Sequence, residues 1–190
     1  MKLCTILLAA GSSRRFGENK LLYPIQGSSM ADRIFSQVYD FQKLMRDISS
    51  CVTVVTQYQE IETKARSYGF SVLYNHHPQR GLSSSISIGL QKNPDFDSYL
   101  FLVCDQPWIQ AQTLGSLVRA YQSSEKGIAC VSFKARLGNP CIFSKKYVPQ
   151  LLELCGDVGG KRVVLSNWED VLCVQVKNER ELIDLDTKPV

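Results

Sequence analysis

The sequence predicts an α/β fold with a mostly parallel sheet covered by helices on both faces. Three observations lead there. Short apolar or β-branched runs recur at residues 3–8, 51–56, 70–74, 99–104 and 128–133, each the length of a strand. Several are apolar at successive positions, as in strands buried on both faces. Segments with helical spacing or helix-end signals separate them, and strands that alternate with helices pair parallel.

The first run, Leu3-Cys4-Thr5-Ile6-Leu7-Leu8, reads as a fully buried strand that ends in a small-residue loop. Ile34, Val38, Phe41 and Met45 then step by four, three and four, which predicts a helix over 30–45 with Ser28 or Ser29 near its N-cap. The β-branched run at 51–56 is the second strand, and a helix near 59–68 ends at Gly69 before a third strand at 70–74. Residues 81–90 read as a loop feeding a short helix. The strongest buried strand, 99–104, stops at Asp105-Gln106-Pro107, where the proline removes a backbone donor. A helix over 111–123 and a strand at 128–133 follow. Further strands are expected at 137–144 and 171–176, and further helices near 145–154 and 158–167.

With 190 residues, 44% hydrophobic and 21% charged, the chain predicts one globular domain over 1–190, large enough to bury a sizeable core. The net charge of +4 is spread out, with no basic run or aromatic-interleaved stripe to suit nucleic acid. No segment approaches the ~18 apolar residues of a membrane span. The seven cysteines include no C-x-x-C pair, and His76 and His77 are adjacent, which suits no zinc framework. An odd number of thiols, several in apolar runs, predicts a reducing, cytoplasmic setting. The first strand begins directly after Met1-Lys2, without the charged region and cleavage site of a secretory signal.

The candidate chemistry starts with Ala9-Ala10-Gly11-Ser12-Ser13-Arg14-Arg15-Phe16-Gly17 and Lys20. Small residues let backbone N–H groups approach an anion, and Arg and Lys add charge suited to phosphate. The loop matches neither common Gly-rich phosphate motif: Glu18 follows Gly17 where a lysine would be needed, and G-x-G-x-x-G is absent. Alone, it is also compatible with a basic surface turn. Its place after the first buried strand favours a ligand, because ligands bind outside the carboxyl ends of such strands.

Asp105 follows the strongest strand and therefore lies at the same sheet edge. A carboxylate beside a phosphate loop is what Mg²⁺ needs, while the plain alternative is an Asp that turns the chain. The serines at 83–85 stand at a helix start, where hydroxyls and free N–H groups can hold a base, ribose or phosphate or simply cap the helix. Gly156-Asp157-Val158-Gly159-Gly160-Lys161-Arg162 is a second loop-to-helix start, with cations that oppose the helix dipole unless they face an anion. Asp184 and Asp186 add two carboxylates near the end. A Ser-His-Asp triad is unsupported, since no G-x-S-x-G elbow occurs.

Together these blocks resemble the MobA-like nucleotidyltransferase family, in particular its molybdenum cofactor cytidylyltransferase branch. The matching pieces are Leu8 to Gly17 with Lys20-Leu21-Leu22, Gly81-Leu82-Ser83-Ser84-Ser85, Asp105-Gln106-Pro107, Gly138-Asn139-Pro140, Gly156 to Gly160, and Asp184 to Pro189, in the family's order. The resemblance implies a Rossmann-like three-layer sandwich with a mixed sheet, of the nucleotide-diphospho-sugar transferase type. It implies transfer of CMP from CTP to the terminal phosphate of molybdopterin, with pyrophosphate leaving. On that pattern Ala9, Ala10, Gly11, Ser12 and Ser13 wrap the triphosphate, with Arg15 and Lys20 as cations. Gly81, Ser83, Ser84 and Ser85 face the nucleoside. Asp105 and Asp186 hold Mg²⁺, with Mn²⁺ as a substitute, so Arg15, Lys20 and Asp105 are the expected catalytic residues. Asn139 and Asp157 line the acceptor side. The product would pass to a molybdoenzyme or its chaperone. Ala9-Ala10-Gly11, where the guanylyl branch tends to show Ala-Gly-Gly, leans toward cytidine.

Physical chemistry agrees with such a reaction. Attack of one phosphate on another must overcome anion–anion repulsion, so positioning and charge neutralisation carry the catalysis. A terminal phosphate is already anionic near neutral pH and needs no general base. The competing readings are transfer from GTP or to another phosphorylated acceptor, and a carrier that binds molybdopterin without turnover.

Overall fold

The computed structural model of the chain describes residues 1–13 and 16–187. Its main sheet contains β1 (Lys2–Ala9), β4 (Ser49–Thr56), β5 (Ser71–Tyr74), β6 (Ser98–Val103), β7 (Ile128–Phe133), β8 (Arg136–Ser144) and β9 (Val171–Gln175). A small hairpin, β2 (Pro24–Ile25) with β3 (Ser28–Ser29), stands apart from it. The strand order is β5-β4-β1-β6-β8-β7-β9, and β8 alone runs against its neighbours. The mixed α/β sandwich expected from the sequence is therefore present.

Helices α1 (Met30–Leu44), α2 (Gln59–Ser67) and α4 (Ala111–Gln122) cover one face of the sheet. Helices α3 (Leu82–Gln91), α5 (Val148–Leu152) and α6 (Lys161–Ser166) cover the other. Strand β1 serves both: Leu3, Leu7 and Ala9 enter one core, while Cys4, Ile6 and Leu8 enter the other. That is why its sequence from Leu3 to Ala9 is apolar at every position but Thr5. Helix α1 begins where Ser29 Oγ accepts the Asp32 N–H, and buries Ile34, Phe35, Val38 and Phe41. Full burial of a side chain such as Phe35 stabilises the fold by about 1.5–3 kcal/mol.

Two features of the sheet position the functional site. Ala9 pairs with Thr56, and Leu8 with Val103, so β1, β4 and β6 end together. The loops after these strands then emerge side by side at one edge.

The structure departs from the sequence expectation in the last third. The helix expected at 145–154 is a 3-10 turn at Lys145–Tyr147 followed by α5, with Pro149 in the first turn. The helix expected at 158–167 starts only at Lys161. Gly160 packs so closely on Phe143 that an added Cβ would lie 2.9 Å from its ring. Strand β8 is reached from β7 through Lys134 and Ala135, a link too short for a parallel crossover. Among the described residues, no helix is long and apolar enough to cross a membrane.

Candidate active site

A cleft of about 210 Å³ opens where β1 and β6 end, lined by residues 9–13, Lys20, Gly81, Ser85, Asp105 and Asp157. The loop after β1 is held from behind by three consecutive side chains. Thr56 Oγ1 donates to the Ala9 carbonyl at 3.0 Å, Gln57 Nε2 to the Ala10 carbonyl at 2.7 Å, and the Tyr58 hydroxyl to the Gly11 carbonyl at 2.9 Å. A trans planar peptide points its N–H opposite its C=O, so the N–H groups of Ala10, Gly11 and Ser12 face away from these side chains. Successive N–H groups of this kind form a concavity for an anion. A Cβ on Gly11 would meet no atom within 4 Å, so the space in front of the loop is open. Ser13, in the left-handed region at φ 48°, closes the loop by accepting the Lys20 N–H on its hydroxyl at 3.2 Å. Arg15, expected as a phosphate ligand, lies outside the described residues, as does Arg14.

Lys20 stands between two carboxylates. Its Nζ is 2.8 Å from Asp105 Oδ2 and 3.1 Å from Asp186 Oδ1. Burial disfavours the ammonium, but Asp105 and Asp186 outweigh it, and the Lys20 pKa is raised. Asp186 arrives on a segment that folds back against the turn after β6: Leu185 N–H donates to the Asp105 carbonyl at 2.9 Å, and Gln106 Nε2 to Asp184 Oδ1 at 2.8 Å. Burial, followed by the nearby charges of Asp105 and Asp186, raises the Asp184 pKa, against the Gln106 hydrogen bond and Lys20.

Asp105 Oδ1 is buried without a hydrogen-bond partner. Such an atom is costly unless something cationic or protic meets it. Two carboxylates beside an open, donor-lined loop fit a hard cation that completes its shell with phosphate oxygens and water. Among the described residues no group of three or more His, Cys, Asp or Glu side chains makes a metal cluster. A metal held by Asp105 and Asp186 would take its remaining ligands from substrate oxygens and water.

The wall opposite the loop is main chain as well. Gly81 has φ +83°, and a Cβ on it would lie 2.3 Å from the Gly156 carbonyl carbon. Ser83 N–H donates to the Gly156 oxygen at 3.1 Å, and the Ser84 hydroxyl turns back to the Gly81 carbonyl at 2.7 Å. Of the three serines, Ser85 is the one that lines the cleft.

A second cleft of about 580 Å³ lies beyond β6, bordered by Gln106, Arg136, Asn139, Lys161, Leu165 and Asp184. A third, of about 230 Å³, shares Leu8, Leu82 and Val103 with the first and Asn139, Cys141 and Lys161 with the second. The third cleft therefore adjoins both of the others. Of the two residues expected on the acceptor side, Asp157 borders the first cleft and Asn139 the other two, the third of which Gly159 and Gly160 of the Asp157 loop also line. Sequence reasoning missed Asn75, which ties Ser84 and Ser85 together, and residues 56–58 behind the loop. Their one signal is position, since all end or follow predicted strands at the carboxyl edge.

Residues 5–171 match the MobA-like NTP transferase domain model. The chain belongs to this family. It is 28% identical to the purine catabolism protein PucB of Bacillus subtilis, over 97% of this chain and 92% of that protein. It is also 28% identical to a probable molybdenum cofactor guanylyltransferase of Pyrococcus horikoshii, over 69% of this chain and 62% of that one. Among solved structures, a nucleotidyl transferase from Methanothermobacter thermautotroptrophicus superposes with a TM-score of 0.80 at 18% identity, over 98% and 92% of the two chains, which shows a common fold. The chain is thus a nucleotidyltransferase of the MobA-like type, and the adjoining clefts are its candidate active site.

Proposed function

We propose that this enzyme transfers CMP from CTP to the terminal phosphate of a molybdopterin-type acceptor, releasing pyrophosphate. The observation that carries this reading is the row of adjoining clefts, with the tied-back loop at 9–13 bordering the first, a larger space at the second, and Lys20, Asp105 and Asp186 near the first. A donor that leads with a triphosphate suits the first cleft, whose N–H groups need no side chain to grip an anion. A larger phosphorylated heterocycle suits the second, where Arg136 and Lys161 add positive charge to apolar walls.

Within this scheme the loop at 9–13 orients the triphosphate, and Lys20, with Arg15 beside the loop in sequence, offsets its charge. Asp105 and Asp186 would hold Mg²⁺ or Mn²⁺, which when bound supplies further charge neutralisation on the phosphates. Ala10 supports cytidine, because a methyl group stands where the guanylyl branch tends to have the first of two glycines. One methyl contact discriminates by about 1–3 kcal/mol. The name of the Pyrococcus relative favours GTP as the second reading. The product would be taken up by a molybdoenzyme or its chaperone.

Incubation with molybdopterin, Mg²⁺ and each nucleoside triphosphate in turn, with pyrophosphate as the readout, tests the proposal. CTP is expected to give the fastest release. Faster release with GTP would replace the base, and no release with any of them would leave a carrier.

A further inference from the structure

Asn75 is 2% exposed and its side chain is fully engaged. Its backbone N–H donates to the Thr56 carbonyl at 2.7 Å, which locks it to the end of β4. Its Oδ1 accepts the His77 backbone N–H at 2.9 Å. A backbone N–H can only donate, so this bond fixes which way the amide faces. The Nδ2 group must then point at the serines, and it donates to Ser84 Oγ and Ser85 Oγ, each at 2.9 Å.

The two hydroxyls are left in different states. Ser84 gives its proton to the Gly81 carbonyl at 2.7 Å. Ser85 accepts from Asn75, so its own proton points elsewhere. A helical serine ordinarily falls back on the carbonyl four residues before it. For Ser85 that carbonyl is Gly81, already taken by the Ser84 hydroxyl and the Ser84 N–H at 3.2 Å. Ser85 is 3% exposed and lines the first cleft. A hydroxyl has one proton, and the cleft is where this one remains free to go.

We propose that Asn75 is a positioning residue that fixes the Ser85 hydroxyl as a hydrogen-bond donor to an acceptor atom of the nucleobase, a ring nitrogen or carbonyl oxygen. The inference rests on the first cleft being the nucleotide site. It holds for whichever base turnover selects, so a swap of GTP for CTP leaves it intact.

Asn75→Asp reverses the polarity. A carboxylate accepts only, so it takes the Ser85 proton and turns a lone pair into the cleft. The test compares wild type, Asn75→Asp, Ser85→Ala and the double variant. It measures the KM of the preferred nucleotide and the inhibition constants of ribose 5-triphosphate and tripolyphosphate. Each single variant is expected to raise the nucleotide KM about tenfold, with kcat at saturation and both inhibition constants unchanged. The double variant should match Ser85→Ala alone. If Asn75→Asp does not fold, as loss of tripolyphosphate binding would reveal, Asn75→Ala carries the same comparison. It frees the Ser85 hydroxyl to rotate, for an expected loss of about threefold that vanishes in the Ser85→Ala background. Equal losses in both backgrounds overturn the role of Asn75. Equal weakening of ribose 5-triphosphate overturns the base as the group that is read.

Discussion

The first cleft is bordered after β1 by a loop whose main chain is tied back from behind, whereas the second, around β8 and α6, is bordered by long side chains. At the first end three carbonyls are tied back at 2.7–3.0 Å, and Gly81 meets Gly156 with no room for a Cβ. At the second end Arg136, Asn139 and Lys161 border a space almost three times as large, and Leu165 beside them is 57% exposed. On the proposed function, the difference separates two kinds of selectivity. A triphosphate is the same on every donor, so a fixed array of backbone donors suffices. An acceptor has to be told from other phosphorylated molecules, and that falls to exchangeable side chains.

The largest expected effect is at the junction. Asp105→Ala removes the anchor of Lys20 and the unpartnered Oδ1, and should lower pyrophosphate release about 10²–10³-fold while the thermal midpoint is kept. Wild-type turnover in that variant would end the role assigned to the junction. Gly81→Ala comes next. It forces a side chain onto φ +83° and into the Gly156 backbone, and should destabilise the fold by about 1–3 kcal/mol in denaturant titration as well as weaken nucleotide binding. Leu165→Ala, on the side-chain wall, should stay within about 0.5 kcal/mol of wild type, and equal losses at both positions would erase the contrast.

Lys161→Ala sharpens the comparison by function. The KM for the acceptor should rise about three- to tenfold and the nucleotide KM should stay put, measured by varying one substrate at a time. A change confined to the nucleotide KM would mean that the two ends are not separate sites.

The smallest effect lies near the outer strands. Asp170 is held by Lys146 at 2.8 Å and by the Tyr147 hydroxyl, and its pKa is lowered to about 2. Because the folded pKa lies below the unfolded one, the contribution is complete above about pH 4 and fades as pH falls through about 2. Asp170→Asn should therefore lower stability by under about 1 kcal/mol at pH 7, and the gap should close in melts near pH 2. A gap that persists there would point to lost packing in place of lost charge.

Much of the first end was legible in the sequence. An apolar run followed by Ala-Ala-Gly-Ser-Ser, and another followed by Asp105, place a loop and a carboxylate at one sheet edge without any tertiary information. The bond from Lys20 to Asp186 was not legible, because it joins positions 166 apart and no local pattern encodes it. Asn139 and Asp157 were both assigned to the acceptor side by resemblance; Asp157 borders the first cleft, while Asn139 on β8 meets Gly159 and Gly160 of the same loop at the third. The two-residue link at 134–135 contained the reversal of β8 in principle, since only an antiparallel pair can be joined so tightly. Gly160 at the start of α6 packs on Phe143, a contact between distant parts of the chain that no local pattern encodes.

The most direct test of nucleotidyl transfer follows the label. With nucleoside triphosphate labelled at the α-phosphate, the phosphorylated acceptor should become labelled in step with pyrophosphate release. With label at the γ-phosphate, the acceptor should stay unlabelled and the released pyrophosphate should carry it all. Label passing from the γ-phosphate to the acceptor would contradict nucleotidyl transfer and make the clefts a phosphoryl-transfer site.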